Sequence, residues 1–250
     1  MSSLVYCLAI LYGLVIGSFL NVLILRIPAG KDFVKEPSHC MNCGYQLAWK
    51  DMIPVVSYVC LRGKCRKCGE HISIQYPLIE LLNGILYFFV FYFNGVNYTS
   101  VVYVFVVSAL IVMSVIDFRT YEIPFGLTLF IAAMGVVATA IDYKHIPLHI
   151  IGMCSVGLFL EILFIVSGGN WIGGGDATLM MAAGLVVGWK NIIVAFLLAC
   201  ILGAVIHSIR MKVSGEDHVL AFGPYLSMGI VIVMIWGDQI CNWYFSMIGL

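Results

Sequence analysis

The chain has 250 residues, 62% of them hydrophobic and only 10% charged, with basic and acidic residues balanced at 13 each, and a mean hydropathy of +1.03. A soluble domain carries about a quarter charged residues, so this composition excludes a surface built for water and makes lipid the expected main solvent. The net charge of zero says nothing about partners, and with no basic arm suited to nucleic acid no nucleic-acid partner is expected.

Taken in chain order at about 20 apolar residues per crossing, the sequence predicts an all-α polytopic membrane protein of about eight transmembrane helices. The first run, 4–25, is long enough to span; no basic segment precedes it and no small-x-small site follows. It is expected to be a retained helix rather than a cleaved signal. Residues 26–76 form the one long polar stretch, read as a compact insertion. Further spans are expected at 77–94, 99–117, 124–141, 147–167, 176–189, 191–210 and 220–246, the sixth of the whole set being short. The predicted organisation is a first helix over 1–25, a loop over 26–76, and a seven-helix membrane core over 77–250.

Lys and Arg set the orientation. The 26–76 loop holds Arg26, Lys31, Lys35, Lys50, Arg62, Lys64, Arg66 and Lys67, and with alternating spans Arg119, Arg210 and Lys212 fall on the same side. Only Lys144 and Lys190 fall opposite. The loop is therefore expected in the cytoplasm and both chain ends outside.

Within that loop stand Cys40-Met41-Asn42-Cys43-Gly44 and Cys65-Arg66-Lys67-Cys68-Gly69. Two C-x2-C pairs at this separation match a tetrahedral four-thiolate zinc site, structural because four sulfurs leave no position open for water. The glycine after each pair permits the tight turn that aims both sulfurs at one metal. Two redox pairs are the alternative, although a reducing cytoplasm argues against disulfides. His39 and His71 flank the site and read as loop polar residues. Cys7, Cys60, Cys154, Cys200 and Cys241 read as packing residues.

Ionisable groups in or beside a span are costly, so each is a candidate site. Asp117 ends the third span, in Ile116-Asp117-Phe118-Arg119, and Asp176 opens the sixth after Gly173-Gly174-Gly175. Both are expected at the cytoplasmic boundary. Two carboxylates brought together cannot both ionise cheaply, and a pair sharing one proton can activate water and protonate a leaving amine. The helix ends favour an ionised Asp176 and a protonated Asp117. The plainer readings are a helix N-cap for Asp176 and a headgroup-facing boundary residue for Asp117. Glu80 lies just inside the second span, Glu161 is expected buried in the fifth, and Asp238 is expected at the far interface.

These residues together resemble the type IV prepilin peptidases over nearly the whole chain. The matching stretches are Gly17-Ser18-Phe19-Leu20-Asn21-Val22 with Arg26 and Pro28, Ser38 to Gly44, Leu47-Ala48-Trp49, Ile53-Pro54 and Arg62 to Gly69. They continue with Tyr76-Pro77-Leu78-Ile79-Glu80, Asp117 with Ile123-Pro124, Gly173 to Asp176, and Phe222-Gly223-Pro224. The resemblance implies a bacterial inner-membrane enzyme, bathed in membrane lipid, that cleaves leaders from type IV prepilins, pseudopilins or competence pilins. Asp117 and Asp176 match the family's catalytic aspartates. It also implies N-methylation of the new terminus with S-adenosylmethionine, for which Asn21, Arg26 and Glu80 are candidates as polar groups near one face. Three positions depart from the family pattern: Thr178 stands for a lysine, Phe125 for Asn or Asp, and Ala221 for a proline. The rivals are a preflagellin-type intramembrane peptidase, a transporter using the acidic residues for ion or proton coupling, and a silent pilin-binding assembly factor.

Overall fold

In the computed structural model, which describes residues 3–214 and 220–247, every long apolar segment is helical. The helices are α1 (Ser3–Arg26), α2 (Val56–Cys60), α3 (Gln75–Asn94), α4 (Tyr98–Thr120), α5 (Phe125–Ile141), α6 (Ile146–Ser167), α7 (Gly174–Ser214) and α8 (Gly223–Met247). Among the described residues there is no strand, only two isolated antiparallel bridges. Six helices are long and apolar enough to cross a membrane, and α5 is a shorter apolar helix.

The 41 residues of α7 are two helices joined without a loop, because Gly188 adopts φ 77° and ψ 173°, a backbone only glycine takes readily. The predicted spans 176–189 and 191–210 meet at this break. With α7 counted as two, the apolar segments among the described residues number eight, as expected.

The chain divides into two units, Met1–Gly95 and Val96–Leu250. In the first, α1 packs on α3 at a seam of small residues. A Cβ on Gly13 would stand 2.7 Å from the Gly84 Cα, and one on Gly17 would stand 2.7 Å from the Glu80 Cα. The Asn83 amide donates to the Gly13 carbonyl at 2.7 Å across this seam. Such close backbone approach is how helices associate where lipid removes the hydrophobic drive.

The second unit uses the same device. Gly152 on α6 and Gly184 on α7 face each other so closely that a Cβ on either would overlap the other's backbone. Gly135 on α5 meets the Leu185 Cβ of α7 in the same way, at 2.6 Å. The outward side chains are apolar, among them Leu129, Val136, Ile162, Ile165, Leu197 and Ile201. Gly184→Leu is expected to pry α6 from α7 at a cost of about 1–3 kcal/mol or more. Thermal unfolding of the purified protein in detergent checks it. Gly126→Leu is the control, since nothing lies within 4 Å of a Cβ there; an unchanged melting temperature for Gly184→Leu would contradict the packing.

Candidate functional site

Asp117 lies in the last turn of α4, which Tyr121 ends by taking a left-handed backbone (φ 56°) and donating its amide to the Asp117 carbonyl at 2.8 Å. The turn sends the chain into Ile123-Pro124 and leaves the Asp117 side chain 4% exposed. Its Oδ2 accepts the Gly223 amide from the start of α8 at 3.0 Å. That approach requires glycine, for a Cβ on Gly223 would stand 2.7 Å from the same oxygen. Beside it, the Arg210 guanidinium of α7 lies over the Phe118 ring at 4.8 Å.

Asp176 lies in the first turn of α7 and is 9% exposed. Its backbone amide donates to the Gly173 carbonyl at 3.1 Å. A Cβ on Gly175 would stand 2.9 Å from the Ile123 Cβ, so glycine lets this turn close on the segment that follows α4. The carboxylates of Asp117 and Asp176 interact electrostatically. The C-terminus of α4 and the N-termini of α7 and α8 thus assemble two buried acids at one end of the second unit. Such a pair can hold one proton between two oxygens and pass it to a reacting group.

Two of the three departures prove to be neighbours. Phe125 and Thr178 line one cleft of about 190 Å³, with Thr128, Leu129, Ala132, Met153, Met181, Ala182 and Leu185. The Thr178 hydroxyl donates to the Gly175 carbonyl at 2.9 Å, inside its own helix. A lysine or an acid at either position alone would face apolar neighbours; as Phe and Thr the two are compatible. Glu161, expected buried, is half-buried on α6, and Asp238 is exposed. Cys7, Cys60 and Cys200 are exposed rather than packed, while Cys241 is buried.

The four cysteines come together in the first unit. The sulfurs of Cys40, Cys43, Cys65 and Cys68 all lie within 4.8 Å of one another, and Cys40 and Cys68 Sγ are 3.8 Å apart. A tetrahedron with zinc–sulfur bonds of about 2.3 Å has edges of about 3.8 Å, so the donor set fits zinc. The two halves repeat one construction. The Cys40 and Cys65 amides donate to Tyr45 and Glu70 carbonyls at 2.8 Å, and Gly44 and Gly69 donate back to the Cys40 and Cys65 carbonyls at 2.9 and 3.0 Å. Both glycines hold positive φ, 67° and 72°, as their place after each pair leads one to expect. His39 and His71 each close a half by an antiparallel bridge, to Gln46 and Lys64. The amides of Cys43 and Asn42 pull the Cys40 thiol down to about 6, which readies a thiolate for a metal. Asp51 joins the halves, accepting from Arg66 at 2.7 Å and from Tyr45 at 3.2 Å. Burial works to raise its carboxyl, but Arg66 and the Ala48 amide outweigh it and hold the group below its ordinary value.

Asn21, Arg26 and Glu80 also lie in the first unit, each engaged in holding it together. Asn21 donates to the Tyr76 carbonyl at 3.1 Å and accepts from Gln75 at 3.4 Å. Arg26 donates to the carbonyls of Asp32, Glu36 and Pro37 at 3.0, 2.8 and 3.3 Å, gathering the start of the loop around its guanidinium. Glu80 accepts the Val55 amide at 2.7 Å.

Both units resemble known proteins. Residues 11–94, which contain the cysteine cluster, match the Bacterial Peptidase A24 N-terminal domain. Residues 104–208, which contain both aspartates, match the Type IV leader peptidase family. The chain is 33% identical to a prepilin leader peptidase/N-methyltransferase of Xanthomonas campestris pv. campestris, over 95% of this chain and 93% of that protein. Proteins of the same name from Neisseria gonorrhoeae and Pseudomonas aeruginosa are 31% and 28% identical, each over 96% of this chain and over 94% and 93% of their own lengths. No solved structure matches. With relatives of this identity aligned along nearly its whole length, the chain belongs to the type IV leader peptidase family and is a polytopic membrane peptidase.

Proposed function

We propose that the protein is an aspartic peptidase that cuts leader peptides from precursors of type IV pilins, pseudopilins or competence pilins, and then methylates the new N-terminal residue. One observation carries the peptidase reading: Asp117 and Asp176, both buried, interact at one end of the same unit, where Asp117 also accepts the Gly223 amide. The pair holds one proton. The ionised carboxylate takes a proton from water as the water oxygen attacks the scissile carbonyl. The protonated carboxyl gives its proton to the carbonyl oxygen. As the tetrahedral adduct collapses, that oxygen returns its proton, the C–N bond breaks, and the carboxyl that took the water proton passes it to the departing amine. Which oxygen carries the proton beforehand is a property of the pair.

The names of the relatives support the second activity, in which bound S-adenosylmethionine supplies a methyl group to the freed amine. Asn21, Arg26 and Glu80 are engaged within their own unit, and no residue is assigned to the donor. Cys40, Cys43, Cys65 and Cys68 hold a structural zinc in this reading, fixing the fold of the 26–76 loop. The Lys and Arg bias supports a cytoplasmic loop and cytoplasmic aspartates in an inner membrane.

The test is to incubate membranes containing the protein with full-length precursors of the three classes and read product masses. Leader loss with one added methyl is expected for at least one class. Intact leaders in all three overturn the peptidase reading, and leader loss without the methyl confines the protein to proteolysis.

A further inference from the structure

The segment between the two cysteine pairs has a feature that neither zinc binding nor peptide cleavage uses. Trp49 (75% exposed), Met52, Ile53, Val56 (55%) and Val59 (65%) turn their side chains outward, although the loop around them is polar. Trp49 and Met52 are three residues apart across a 3-10 turn, and Val56 and Val59 are three apart on α2, so each pair shares a face.

A hydrogen bond fixes the position of this segment along α3. The Val55 amide donates to Glu80 Oε2 at 2.7 Å, and Glu80 is five residues into α3, which starts at Gln75. At about 1.5 Å of rise per residue, Val55 is held about 7 Å along the helix from its start. By that level the outer face of α3 is already apolar, through Leu78, Leu81 and Leu82. The tether is firm. Val55 stands at φ 60° and ψ −48°, with the Val56 amide on the Pro54 carbonyl at 2.6 Å, a tight turn that a β-branched residue adopts only under constraint. Interfacial helices bury their apolar face about 5–10 Å into the headgroup and acyl boundary, the same scale as this offset along α3.

Charge selects the surface. Residues 26–76 carry eight basic and four acidic residues. Asp51, the acid nearest the apolar face in sequence, is paired with Arg66. Lys50, next to Trp49 within the face, and Arg62 and Lys64 after it are all exposed, and exposed cations beside an apolar face are drawn to anionic headgroups.

We propose that residues 49–64 form an interfacial anchor: Trp49, Met52, Ile53, Val56 and Val59 enter the membrane beside α3, and Lys50, Arg62 and Lys64 hold anionic phospholipid. The anchor sets the height of the cysteine cluster above the bilayer, since the segment joins its two halves.

The full-length protein, nitroxide-labelled through a genetically encoded ketone amino acid to spare the cysteines, is reconstituted into phosphatidylcholine vesicles with and without phosphatidylglycerol. Labels go to positions 56 and 59, to position 82 on α3 as a lipid reference, and to position 41 beside the cysteine cluster as a water reference. Zinc content confirms folding of each variant. In anionic vesicles the ratio of oxygen to nickel-chelate collisions at 56 and 59 is expected to approach that at 82 and exceed that at 41 several-fold. It is expected to fall in zwitterionic vesicles and in the Lys50→Gln/Arg62→Gln variant. A ratio at 56 and 59 equal to that at 41, or indifferent to phosphatidylglycerol, overturns the proposal. So does shielding from both collision reagents, which would assign the face to protein, including a bound precursor.

Discussion

Asp117→Asn and Asp176→Asn are each expected to leave a precursor uncut under conditions where the unaltered protein removes its leader, with rates lower by at least about 100- to 10,000-fold. Asparagine keeps the shape of the buried side chain and removes its capacity to exchange a proton. In the proposed mechanism the acids act as one unit, so the double variant is expected to be no worse than either single one. Gly223→Ala grades the same site. Its Cβ would stand 2.7 Å from Asp117 Oδ2, so the carboxylate must move and its amide partner with it. A displacement near 1 Å costs about a hundredfold, so the expected activity lies between the unaltered protein and the aspartate variants. Mass spectrometry of the precursor over time reads all four variants. Undiminished cleavage by either aspartate variant would remove the pair from the mechanism.

Replacing Cys40 and Cys65 together by serine is expected to remove the metal and open the 26–76 loop. One cysteine leaves each half, so neither half keeps a pair of sulfurs. Structural zinc contributes about 10–16 kcal/mol of apparent binding energy in small zinc-dependent folds. The hydrogen bonds among Cys40, Tyr45, Cys65 and Glu70 cannot replace that, exposed as most of this segment is. The α1–α3 seam should persist, since Gly13, Gly17, Asn83 and Gly84 hold it without the loop. Elemental analysis should find one zinc per unaltered chain and none in the variant, and limited proteolysis should cut the variant selectively within 26–76. Zinc retained by the variant would refute the four-thiolate site. A loop equally resistant without metal would refute its structural role.

The cysteine spacing was readable in advance because each C-x2-C-G half is a local construction, closed by hydrogen bonds between residues no more than five apart. The two aspartates stood out as candidates because an acid at a span boundary is costly enough to be noticed without any structure. The span ends were readable for a related reason: hydropathy reports how a segment partitions between water and lipid, a property of the segment alone. The break at Gly188 was readable only as a gap between two spans, since composition does not tell a single-residue turn from a loop.

What the fold alone decided lies in contacts between distant residues. The Gly223 amide reaches Asp117 across 106 positions, and the Glu80 carboxylate reaches Val55 across 25. Phe125 and Thr178 share a cleft although 53 positions separate them, and Arg26 spends its donors on loop carbonyls rather than facing a ligand. The physical reason is that a sequence records where each residue is soluble and which turns it permits. Partners between helices are chosen by how closely backbones approach at Gly13, Gly17, Gly152 and Gly184, and that choice exists only once the helices have packed.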